Sequence, residues 1–227
     1  MDQIDITWYG APMKYQTSPA CSPVINMTSS FSSFTYVYGS GPSASQSFTV
    51  SGANLGANLV VTAPANYEVC KTFGGDYTTS VSYTPSDGTV TDQTVYIRLK
   101  AGLNVGAYNY AAASGVSAAS TGATTRTAAL TGSVTKAAGA IAFTDFNAGD
   151  HYEAEWTGSA ILVPYNYILT GDGTLTTTKV DGRGGTVDTE NKKWSLTNEG
   201  TYQLRLTLGN GTNHTGAGPV TADFAIY

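Results

Sequence analysis

Apolar residues recur at every second position along most of this chain, and no window of about 11 residues carries the three-and-four spacing of a helical face. That alternation confines the chain to sheets with one buried and one solvated face. After the first 30 residues it predicts strands over 34–38, 46–50, 58–62, 67–70, 80–84, 94–99, 108–110 and 127–130. Turn residues punctuate them at spacings of about 8–12 residues, the rhythm of a sandwich. Residues 85–88, with Pro85, Asp87 and Gly88, form one such turn, because Pro fixes φ while Asp and Gly tolerate left-handed backbone.

The pattern restarts after residues 136–139, a short linker rich in small residues. Strands are predicted over 141–143, 152–156, 161–163, 165–169, 174–180, 194–196, 202–208 and 220–226. Asp172 and Gly173 after Gly171 predict a hairpin between the strands on either side. The expected organisation is an arm over 1–30, a first β-domain over 31–136 and a second over 137–227. Charge divides at the same point. Residues 31–136 hold four acidic and five basic residues, whereas 137–227 hold ten and five, so the second unit carries nearly all of the net charge of −5.

Composition excludes several functions. Charged residues are only 12% of the chain and Ser plus Thr about a quarter, while 41% hydrophobic content suffices for real cores. A net negative chain is a poor nucleic-acid binder, since phosphate binding needs Lys and Arg to displace counterions. No apolar run is long enough to span a membrane. The start has neither a basic segment nor the apolar core of a secretory signal; either a signal has been removed or export by that route is not expected.

Two local patterns resemble the tyrosine corner of immunoglobulin folds, in which a Gly precedes a Tyr at the start of a late strand. One is Gly200 with Tyr202, where Leu204 stands in place of the second core cysteine. The other is Gly106 with Tyr108. More broadly, residues 45–134 resemble the Ig-like repeats of multidomain bacterial surface and secreted proteins, through 45–52, 59–64, 67–69, 95–99 and 124–134. Similar modules decorate the heads and tails of tailed bacteriophages. The resemblance implies an all-β fold of two tandem Ig-like sandwiches behind an extended N-terminal arm. It also implies a scaffold or adhesion role, with no catalytic residues.

Within the arm, residues 4–8 alternate like a strand, and Pro12, Pro19 and Pro23 make residues 10–30 an extended tether. A tethered strand adds to an exposed sheet edge through main-chain hydrogen bonds. Ile4, Ile6, Trp8 and Tyr9 are the candidate interface, on a capsid or neighbouring subunit or on an edge of the chain's own first domain. His151, Glu153 and Glu155 fall on one face of a predicted strand, a geometry open to a metal but more commonly a solvated face. Asp172, Asp181 and Asp188 lie in Gly-rich loops whose spacing fits no calcium motif and is explained by turn chemistry. Cys21 and Cys70 fit no metal spacing and read as free thiols, with a disulfide clipping the arm as the alternative. Trp194 is expected in a core. Asn26, Asn210 and Asn213 head Asn-x-Thr sequons, which matter only in a eukaryotic secretory pathway.

Taken together, these features predict a structural or display protein without enzymatic activity or cofactor. A virion component anchored by its arm is the first expectation. A secreted or cell-surface bacterial adhesion module, with a surface glycan as its partner, is the second.

Overall fold

The computed structural model describes residues 21–146, 151–180 and 185–227. Among these, all regular structure is strand apart from one short 3-10 turn. Eleven strands build the first unit: β1 (Val24–Thr28), β2 (Phe34–Val37), β3 (Gln46–Ala53), β4 (Leu59–Thr62), β5 (Tyr67–Cys70), β6 (Ser80–Tyr83), β7 (Val90–Leu99), β8 (Gly106–Ala107), β9 (Val116–Ala119), β10 (Arg126–Ala128) and β11 (Gly132–Thr135). They form sheets in the orders β1-β3-β7-β5, β10-β9-β4-β6 and β2-β11-β8, the last with β2 parallel to β11.

The core follows directly from the alternation. Phe48 and Val50 of β3, Val95, Ile97 and Leu99 of β7 and Tyr67 and Val69 of β5 are buried. They pack in one cluster with Leu59 and Val61 of β4, Val81 of β6 and Val116 and Ala118 of β9. β4 pairs with β6 and β9 whereas β5 pairs with β7, so the turn between β4 and β5, with Asn66 at φ 69°, carries the chain from one sheet to the other. The turn before β7 forms as expected: Asp87 and Gly88 adopt φ of 47° and 72°, and Ser86 and Thr89 exchange backbone hydrogen bonds of 2.9 and 2.8 Å.

The second unit comprises β12 (Ala140–Phe143), β13 (His151–Ala154), β14 (Ile161–Pro164), β15 (Tyr167–Thr170), β16 (Leu175–Lys179), β17 (Thr186–Asp188), β18 (Lys193–Leu196), β19 (Gly200–Leu208) and β20 (Ala217–Ile226). Its sheets run β13-β20-β19-β16, β14-β18-β17 and β12-β15, with β13 parallel to β20. A separate core gathers Tyr202, Leu204, Leu206 and Leu208 of β19, Phe224 and Ile226 of β20 and Trp194 and Leu196 of β18. Trp194 is core, as expected, and stacks edge-on against Tyr202 with ring centres 5.9 Å apart.

Both tyrosine corners are present. The Tyr202 hydroxyl donates to the Asn198 carbonyl at 2.6 Å, and the Tyr108 hydroxyl donates to the Asn104 carbonyl at 2.7 Å, each reaching back four residues. Leu204, where an immunoglobulin cysteine would stand, is fully buried and fills that volume with apolar contact.

Four expectations need correction. The tether does not run to residue 30: the chain is a strand from Val24, paired residue for residue with β3, and Ile25 is 1% exposed in the core. Alternation of Ile25 and Met27 outweighs the polar setting that suggested a tether. The strand expected at 108–110 lies earlier, at Gly106–Ala107, with only an isolated bridge from Tyr110 to Leu130. Strand β9, between β10 and β4, was not foreseen, because Ala and Ser dominate it. Residues 170–173 do not close a hairpin. β15 pairs with β12 and β16 with β19, so this turn changes sheets.

Candidate functional sites

Of the predicted interface, Ile4, Ile6, Trp8 and Tyr9 lie outside the described residues. The side chain of His151 also lies outside them; Glu153 and Glu155 point to solvent, while Tyr152, Ala154 and Trp156 pack on the second core. Among the described residues no three His, Cys, Asp or Glu side chains cluster as metal ligands would. Both cysteines are free, Cys21 exposed and Cys70 buried with its thiol donating to the Thr72 carbonyl at 3.0 Å.

The aspartates divide. Asp181 falls outside the described residues. Asp188 does turn chemistry: its carboxylate accepts from the backbone of Glu190 and Asn191 and from the Asn191 amide, which holds its carboxyl below the usual range. Asp172 reaches much further along the chain. Its carboxylate accepts the backbone N–H groups of Asn213 at 2.9 Å and His214 at 3.0 Å, and Oδ1 lies 3.1 Å from His214 Nδ1. These bonds, the Asn213 N–H foremost, lower its carboxyl to about 2.

The loop that Asp172 organises, residues 209–216, reaches both the linker and the first unit. The Asn213 carbonyl accepts the Ala137 N–H at 3.0 Å, and Thr215 donates to the Ala137 carbonyl at 2.8 Å. Lys136 donates to the Gly211 carbonyl at 2.6 Å. The Asn213 side chain crosses to the first unit, accepting the Val105 N–H at 2.9 Å and donating to Asn104 Oδ1 at 3.2 Å. Asn104 is the residue whose carbonyl the Tyr108 corner holds. Tyr38 closes the other side, its ring 5.4 Å from and nearly perpendicular to that of His214. Glycine is required here: a Cβ on Gly173 would collide with the Gly209 carbonyl, and one on Gly211 with the Asp172 carboxylate.

This joint was not legible in the sequence. Asn213 is marked in the sequence only as part of a sequon, Tyr38 only as the end of a predicted strand and His214 only as a histidine remote from His151. None of them is marked as a contact, because the bonds of Asn213 to Asn104 and Val105 span about 100 residues. The one available signal was the density of Gly, Asn and Asp in 171–173 and 209–216, which marks turns without saying what they touch.

Two surfaces present apolar groups to solvent. On the outer face of the first unit Phe73 is 72% exposed and packs against Tyr96, beside Arg98, which pairs with Glu68 at 2.7 Å and lies 3.7 Å over the Tyr77 ring. On the second unit Leu162 and Ile168 are exposed on β14 and β15. No helix among the described residues is long and apolar enough to cross a membrane.

No family model matches the sequence, and no curated protein matches it. Solved structures similar to this chain include tandem Ig repeats of Dlar, at 12% identity over 91% of this chain and 98% of that one with a TM-score of 0.27. A titin fragment aligns at 11% identity over 91% and 99%, with a TM-score of 0.30. A C-terminal fragment of intimin, in complex with the intimin-binding domain of its translocated receptor, aligns at 14% identity over 88% of this chain and 62% of that one, with a TM-score of 0.24. At such scores the likeness is one of general architecture and adds nothing to the reading of function.

Proposed function

We propose that this chain is a non-enzymatic structural and display protein: two Ig-like modules, divided between Lys136 and Ala137, held in a fixed relation behind an N-terminal arm. The observation that carries the reading is the joint. Asn213 and Lys136 place their polar groups across the division between the modules, and Asp172 holds the loop that carries Asn213, as a strut or fibre requires and an independent pair of binding domains does not. Residues 45–134 resemble Ig-like repeats of bacterial surface and secreted proteins, and related modules decorate bacteriophage heads and tails. The strand-like alternation of residues 4–8 directs the proposal to a virion component, a capsid decoration or head fibre anchored by the arm. In the test, source particles are banded on a density gradient and the chain is counted against the major shell protein. The full chain co-bands at fixed stoichiometry, and a version lacking residues 2–20 melts unchanged but no longer incorporates. Normal incorporation of the truncated chain overturns the anchor.

The second reading is a secreted or cell-surface adhesion module. It is favoured by the exposed Phe73 packed on Tyr96, beside Arg98 over the Tyr77 ring, an aromatic and arginine surface of the kind enriched at protein interfaces. Saturable retention of the purified chain on bacterial or host cells supports this reading; absence of retention removes it.

A further inference from the structure

Strand β5 ends at Cys70 opposite Tyr96, so along residues 90–95 the same edge of β7 faces no strand among the described residues. Strand β6 is the outermost strand of the opposing sheet. Between these two edges the sandwich stands open in a cleft of about 330 Å³, at the lower end of small-ligand sites and sized for one sugar ring.

The sequence makes this cleft polar where alternation would have continued the core. In β6, Val81 is buried, so Tyr83, two residues on and paired with Leu59, faces inward as well. In β7, Val95, Ile97 and Leu99 are buried and Gln93 is half-buried at the next inward position; a bulge opposite Val50 and Gly52 then turns Val90 inward and leaves Thr91 exposed at the rim. Apolar residues at both positions would close the sandwich; Tyr83 and Gln93 leave it open above the buried Val90. Ser86 and Thr89 of the tight turn add two more hydroxyls to the lining. Lys71, leaving the end of β5, brings its ammonium to 4.8 Å from the centre of the Tyr83 ring. No carboxylate lines the cleft, in a chain whose net charge is −5. Burial raises the Tyr83 phenol, keeping it a neutral donor.

We propose that this cleft binds one acidic sugar residue, a uronic or sialic-type unit at the end of a glycan. Lys71 meets its carboxylate, the Tyr83 ring packs against its C–H face, and Thr89 and Ser86 hydrogen-bond its hydroxyls. Gln93, whose amide N–H groups donate to the Thr91 carbonyl and hydroxyl, offers its amide oxygen, while the Thr91 hydroxyl offers its proton. One ammonium without a nest of backbone N–H groups is a weak site for a bare anion. The aromatic floor and the row of hydroxyls call for a ligand with both an apolar face and hydroxyl groups. This inference rests on the adhesion reading for its purpose and is tested apart from it.

The experiment is a titration of the full chain, followed by amide NMR, with methyl glucuronide and N-acetylneuraminic acid. Methyl glucoside serves as the neutral isostere and sodium sulfate as the bare anion. Saturable shifts confined to residues around 71 and 82–93, with the glucoside roughly tenfold weaker, support the site. Lys71→Gln removes the acid preference and Thr91→Val weakens binding, both with unchanged melting temperature. No saturable shift with either acid sugar overturns the proposal. So does sulfate binding as tightly as the glucuronide, or a Lys71→Gln chain that binds like the original. Cell retention is measured in parallel. If no acid sugar binds but cells retain the chain, the cleft proposal fails and adhesion stands; if acid sugars bind but no surface retains the chain, the cleft stands and adhesion fails.

Discussion

Tyr108 and Tyr202 make the same bond in different surroundings. Tyr202 is buried beneath Trp194, whereas Tyr108 is half-exposed and the residue it holds, Asn104, faces the second unit. Removing the hydroxyl from a buried bond costs the bond and leaves its partner poorly solvated. Tyr202→Phe is therefore expected to lower stability by about 1–3 kcal/mol, and Tyr108→Phe by about 0.5–1.5 kcal/mol. Denaturant midpoints with unchanged slopes test both values. Asp172 gives a prediction in pH. Its folded carboxyl is depressed from 3.8 to about 2, so its contribution is fully present above about pH 4 and disappears as pH falls through 2. Asp172→Asn should therefore melt lower than the original chain at neutral pH, and the two melting curves should converge toward pH 2. Parallel curves across that range would contradict the assignment.

Among the elements, β1 decides where the arm ends. Its five residues pair with β3 and put Ile25 in the core, so the cut made for the anchoring test matters. Removal of residues 2–20 should leave the melting temperature unchanged. Removal of 2–30 should destabilise the first unit, and Ile25→Ala alone should cost about 2–5 kcal/mol, measured by thermal melts. The segments easiest to read were those whose apolar residues alternate without interruption, residues 95–99 of β7 and 202–208 of β19, because burial and local preference agree there; the polar start of β7, residues 90–93, was not part of the predicted strand. β9 was invisible because Val116 and Ala118 supply all of its burial and small residues pattern like a loop. The turn at 170–173 was visible as a turn, but its partners were not. Asp-Gly sets local backbone twist, while the choice between closing a hairpin and changing sheets is made by core residues far along the chain.

At the scale of the whole molecule, the proposed strut depends on the few side chains that link the two cores at the joint. Asn213 is its centre, since its backbone carbonyl serves the linker and its amide serves the first unit. Asn213→Ala keeps the linker bond and removes both amide contacts, leaving each core intact. The expected result is two modules that melt as before yet reorient independently. Residual dipolar couplings report this directly: one alignment tensor fits both modules in the original chain, and two are needed in the variant. The Tyr108 corner enters the same test, because it holds Asn104 against that amide. Tyr108→Phe should loosen the tensors part of the way, by a loss transmitted through Asn104, since Tyr108 itself makes no hydrogen bond to the second unit among the described residues. A shared tensor in Asn213→Ala would mean that Tyr38 against His214 and Lys136 on the Gly211 carbonyl hold the modules without it. The amide would then be an accessory to the strut instead of its pin.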